Sequence, residues 1–234
     1  MTRKENKERY RDVLKKLFRN GEYIKLMLAM TCEYGSMVSF LSVLDHTLSS
    51  LGYEDPGQAA ALTILATTIF GILPTFIFAT LIKKTLQYKL MINICLVFGL
   101  ITFVSLQIIY TRVETTEWVL IISGGCVGFF LLPLTSLFMA YSSEVVFPLG
   151  EGSATGYLFA SSQTFGFLLG LGMISFIDKE HIWKSYTSMG IHSFFIFLSI
   201  FFVLSTKEIL RRTNHELKKT KAKEEDEVLV YENS

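Results

Sequence analysis

The chain has 234 residues, 50% of them hydrophobic and only 18% charged, with a mean hydropathy of +0.42 and a formal net charge of +1. A soluble domain of this length buries one core under helices that carry a single apolar stripe. Here whole stretches of about twenty residues are apolar all round, the composition of helices that cross a bilayer. Cys32, Cys95 and Cys126 fall inside these stretches with no CxxC and no Cys-His cluster. They read as small buried hydrophobes, which argues against a disulfide framework or a metal site.

In chain order, the first segment (1–22) is basic and polar, with no apolar core followed by a small-residue cleavage site, so no cleavable signal peptide is expected. Tyr10, Val13, Leu14, Leu17 and Phe18 follow helical spacing, with Arg9, Arg11, Lys15, Lys16 and Arg19 on the other face. This is a basic amphipathic helix, lying either on the membrane surface or against the underside of a bundle. Six spans follow at 23–45, 58–82, 90–110, 118–141, 153–177 and 186–206, separated by polar breaks at 46–57, 83–89, 111–117, 142–152 and 178–185. Each span is long enough for a hydrocarbon layer of about 30 Å. A charged tail (207–234) begins basic, turns acidic at Glu224, Glu225, Asp226 and Glu227, and reads as disordered at its end.

Lys and Arg fix the orientation. The first 22 residues, the break at 83–89 and the tail together carry eighteen of them, against Arg112, Lys179 and Lys184 on the opposite side and Lys25 at the membrane edge. Both termini are therefore expected in the cytoplasm of an integral, multi-pass, all-α membrane protein.

Polar residues at mid-span are the candidates for function. Glu33 lies near the middle of the first span with Tyr34 beside it. A carboxylate at that depth costs at least ~2.5 kcal/mol on insertion scales unless it faces water, meets a cation or takes a proton. It either serves a cationic substrate or a coupling proton, or makes a structural hydrogen bond. Gln163, in the middle of the fifth span, either faces substrate or stitches two helices. Glycines four residues apart (Gly124 and Gly128, Gly152 and Gly156, Gly166 and Gly170) suit close helix packing, and Pro74 and Pro133 suit kinks. The four histidines (His46, His181, His192, His215) lack ligand spacing. No GxSxG, HExxH or glycine-rich phosphate loop is present, so neither an enzyme nor a metal or other cofactor is indicated. The basic runs flank spans, as topology requires, and do not suggest nucleic-acid binding.

From 119 to 172, Gly125, Gly128, Phe129 and Phe130 precede a run of Glu144, Pro148, Glu151, Gly152, Gly156, Leu158, Ala160, Gln163, Phe165 and Gly166. This stretch resembles the tenth and eleventh helices of the feline leukaemia virus subgroup C receptor-related proteins. These are twelve-helix carriers of the major facilitator superfamily. Thr85, Tyr88 and Lys89 match more weakly. The resemblance implies that the six spans correspond to the second half of such a carrier. The chain would then be a fragment, or a half-size protein that pairs with the missing N-terminal half, a second copy or another half-carrier. The family is associated with choline and related amines and with haem export; no Cys-Pro pair supports haem here. The resemblance makes Gln163 a cavity residue, and Glu144, Pro148, Glu151 and Gly152 a cytoplasmic loop motif. Lys83 stands where the family has Asp, and Val38 where it has a cavity Tyr, for which Tyr34 one turn away is the substitute. The expectation is thus a half-carrier that moves a small organic solute by alternating access, with Gln163, Tyr34 and Glu33 at its site and the bilayer around it. A non-transporting scaffold or inactive remnant is the alternative.

Overall fold

The computed structural model describes residues 12–112, 116–177, 181–215 and 217–220. Six long helices dominate: α1 (Gly21–Leu51), α2 (Pro56–Thr85), α3 (Tyr88–Tyr110), α4 (Glu117–Val146), α5 (Glu151–Phe176) and α6 (Ile182–Ser205). All six are long and apolar enough to cross a membrane. The helices overrun the polar breaks. His46 to Leu51, expected as loop, continue α1, and Ser142 to Val146 continue α4. Polar residues at the edge of a bilayer keep a helix going as well as apolar ones do; backbone signals end it. Gly52 at φ 92° closes α1 on the carbonyls of Leu48 and Ser49. Pro148 forces Phe147 into extended backbone (φ −50°, ψ 137°) and so stops α4. Starts are equally local. The Asn20 side chain accepts from the N–H groups of Glu22 and Tyr23, and Pro56 occupies the first turn of α2.

Two helix pairs approach closely. On α4, a Cβ added to Gly124 would stand 2.9 Å from the Thr63 carbonyl oxygen, and one on Gly128 would overlap the Thr67 carbonyl, so α2 lies against bare α4 backbone. The Thr67 hydroxyl donates to the Gly124 carbonyl across this contact (3.0 Å). At the second crossing, a Cβ on Gly166 of α5 would stand 2.8 Å from the carbonyl oxygen of Gly35 on α1. A Cβ on Gly170 would meet Ser39 Oγ at an ordinary 3.7 Å. Gly156 departs from the packing expected of it: no atom lies within 4 Å of the Cβ it would carry, and Gly152 is equally open. Four-residue spacing puts glycines on one face without saying what that face meets. In α5 the stripe of Gly152 and Gly156 looks outward, whereas Gly166 and Gly170 look toward α1.

α1 is the central helix, packed against α5 on one side and α6 on another, while α3 bridges α4 and α6. Phe40 of α1 meets Phe103 of α3 edge-on at 4.7 Å, and Tyr88 stacks on Tyr141 at 5.5 Å. Cys32 and Cys95 are buried, but Cys126 is exposed on the outer face of α4, correcting its expected burial; an apolar helix facing lipid gives no periodicity from which to tell the two sides. The segment at 12–18 is helical. It buries Leu17 in the core and sets Phe18 5.9 Å from Tyr157 on α5. Residues 1–11 of the basic segment and the acidic end of the tail lie outside the described residues.

Candidate functional site

Tyr34 and Gln163 come to the same side of the α1–α5 pair. Along α1, Thr31, Tyr34, Val38 and Leu41 are half-buried and Ser42 and Asp45 exposed, a stripe with helical period left uncovered by the other helices. Along α5, Gly152, Gly156, Ala160 and Phe167 are exposed, with half-buried Gln163 on the same stripe. The Gly35–Gly166 crossing brings the two stripes together. The Tyr34 ring packs 5.5 Å from Phe159, and Gln163 is one turn further along that face of α5. Thr31 and Ser161 share a hydrogen bond of 3.0 Å beside them. Gln163 makes no hydrogen bond to any described residue. The stitching role open to it in the sequence is therefore unfilled within this bundle. Val38 and Tyr34 share one face a turn apart, so the two positions address the same space.

Glu33 points elsewhere. Its side chain turns about 100° around the helix from Tyr34 and is fully buried inside the bundle, with neither carboxyl oxygen hydrogen-bonded among the described residues. It does not share the open face of Tyr34 and Gln163. The expected set of three thus divides into two residues on one surface and one in the interior.

The polar stitching falls on residues the sequence did not single out. His192 on α6 is fully buried. Its Nδ1–H donates to the Ser188 carbonyl (2.7 Å), which leaves Nε2 to accept from the Ser39 hydroxyl (3.0 Å). Ser36 donates to the His192 carbonyl at 2.9 Å. One helix away, the Gln107 amide donates to the Met189 carbonyl (3.0 Å), and its oxygen accepts from Ser193 (2.7 Å). These groups are all satisfied, so they join α1 and α3 to α6. The signal was present: each is a polar side chain in a span, and serines recur on the facing helix.

At the basic end, the loop acids are tied to the segment after α6. Both Glu144 oxygens accept from Thr213, one from the backbone N–H (3.1 Å) and one from the hydroxyl (2.9 Å), and Arg212 meets Glu151 at 3.1 Å. Pro148 sits in the loop between these two acids, and Gly152 is exposed just beyond. Two lysines that flank spans have a second role: Lys25 donates to the Ser205 carbonyl, and Lys89 to those of Leu204 and Thr206, closing the end of α6. Among the described residues, no three His, Cys, Asp or Glu side chains gather into a set able to hold a metal ion.

No protein-family profile matches the chain. Individual proteins do. It is 26% identical over 230 residues to the human choline/ethanolamine transporter FLVCR2, covering 93% of this chain and 41% of that protein. It is 24% identical over 209 residues to the cat choline/ethanolamine transporter FLVCR1, covering 88% and 36%. With solute carrier family 49 member A3 of Xenopus tropicalis it shares 27% identity over 159 residues, covering 66% and 32%. Its relatives are FLVCR and solute carrier 49 transporters. The chain spans between 32% and 41% of the length of these three. Similarity to the FLVCR proteins runs through nearly all of the chain, so it takes in all six helices rather than α4 and α5 alone.

Proposed function

We propose that the six helices are the C-terminal half of a major-facilitator transporter that carries a small organic cation of the choline type by alternating access. The observation that carries this reading is the open α1–α5 face, where Tyr34, Val38 and Gln163 stand beside small residues that no helix among the described residues covers. Two such half-bundles facing each other enclose a site near the membrane midplane. The tyrosine ring supplies a π-face to a quaternary ammonium, and the amide of Gln163 supplies a donor and an acceptor to its polar end. Exposed Gly156 and Ala160 keep the α5 wall low, which suits close approach of a second half or of substrate. Glu33, buried behind this face, acts on a cation only through the bundle interior.

Gln163→Ala in an active assembly removes a ligand hydrogen bond worth about 1–3 kcal/mol, which is roughly 5- to 150-fold in apparent choline affinity. Its melting temperature stays near that of the wild type, because a cavity-facing amide has water as its other partner. A destabilised variant that binds choline as the wild type does would overturn the assignment.

A further inference from the structure

At the basic end of the bundle, α2, α3 and α4 leave a cavity of about 330 Å³ between them, closed on one side by the segment after α6. Its buried wall is apolar, with Ile82 and Leu137, and its polar groups are Lys83, Tyr88, Ser136, Ser143, Glu144 and Arg212. Lys83, Lys84 and Arg212 stand against Glu144 and Glu151, so this end of the bundle carries one net positive charge. Glu144 has both oxygens engaged by Thr213, while the exposed Lys83 ammonium makes no ion pair or hydrogen bond to any described residue. The next residue, Lys84, ends a second hollow of about 420 Å³, formed by Phe76, Ile77, Thr80 and Leu81 on the outer face of α2. Phe76 and Ile77 are 69% and 52% exposed there. An apolar groove that runs two helical turns along a span and ends at a cation has the form of an acyl chain with its phosphate. A lone lysine at that level would be ordinary snorkelling. Here a second, unpaired lysine turns into an adjoining cavity that also presents a guanidinium.

We infer that the Lys83–Lys84 end of α2 binds an acidic phospholipid of the cytoplasmic leaflet. The acyl chain lies along Phe76, Ile77 and Leu81, the phosphate sits between Lys84 and Lys83, and the headgroup reaches the cavity beside Arg212. The cytoplasmic leaflet is where acidic lipids and basic membrane-edge residues meet, so the inference rests on the topology in which this end is cytoplasmic. Arg212 also holds Glu151 at the start of α5, so a bound headgroup would brace the tail segment against the α4–α5 loop.

The test uses the full chain purified in detergent and mixed with phosphatidylglycerol or phosphatidylcholine. Retained lipid is read by native mass spectrometry, and melting temperature is read in parallel. Phosphatidylglycerol is expected to be retained and to raise the melting temperature, and phosphatidylcholine is not. Lys83→Gln with Lys84→Gln should cut retention at least tenfold, whereas Lys218→Gln with Lys219→Gln, equal in charge and on the exposed tail, should not. Equal retention of the two lipids, or a Lys83/Lys84 variant that behaves as the wild type, would overturn the site. Inorganic phosphate alone reproducing the stabilisation would overturn the choice of lipid. Neither reading needs a second half or transport, so failure here is separable from failure of the transport proposal. Sidedness is checked independently by cysteine labelling.

Discussion

Four mid-span polar side chains look alike in the sequence and differ in what surrounds them. Gln163 is half-buried with no hydrogen bond to a described residue, His192 and Gln107 are bonded to neighbouring helices, and Glu33 is buried with no bonded partner among the described residues. Their replacements should differ accordingly. His192→Ala leaves the buried Ser39 hydroxyl without its partner and opens a hole, so its melting temperature should fall by several degrees; a partner left unsatisfied costs about 1–3 kcal/mol. Glu33→Leu removes a polar group that bonds to nothing described, and an apolar side chain of similar size in its place should keep or raise the melting temperature. Thermal unfolding of the two purified variants checks this. A Glu33→Leu protein less stable than His192→Ala would mean that Glu33 has a partner in the folded bundle. The placement of these side chains was only half legible for this reason. Depth in a span can be counted along the chain, but the direction of a side chain around an apolar helix cannot, and 100° separates Glu33 from Tyr34.

Among the helices, span number and order were legible because a bilayer demands about twenty apolar residues in a row. Helix ends were less so, since Gly52 and Pro148 outrank the polarity of His46 or Ser142. The glycine stripes separate in the same way. Gly128→Leu would drive its side chain into the Thr67 carbonyl and force α2 from α4, with loss of folded protein as the expected outcome. The Cβ of Gly156→Leu would meet no described atom within 4 Å, so the chain should fold and melt as the wild type does. If the α5 face meets a second half or substrate, that variant should nonetheless lose transport. Size-exclusion profiles, melting curves and uptake on the same pair separate the two roles, and a Gly156→Leu protein that transports normally would remove that face from the site.

For the whole molecule, orientation and the open α1–α5 face decide what the bundle can do. The distribution of Lys and Arg predicts that both termini and the Lys83–Lys84 turn are cytoplasmic, so a cysteine introduced at Glu54, in the turn after α1, should react with an impermeant reagent from outside. Reaction from inside alone would invert the six-helix topology. A surface bearing Tyr34, Gly156 and Gln163 on one wall makes a transport site only when another wall faces it. The most direct measurement is choline uptake into proteoliposomes by the chain purified alone as a crosslink-verified monomer, by its crosslinked dimer, and by the chain joined to the first six helices of a full-length relative. The account predicts uptake from at least one two-walled assembly, sensitive to Gln163→Ala, and none from the monomer. Uptake by a strictly monomeric chain would contradict it.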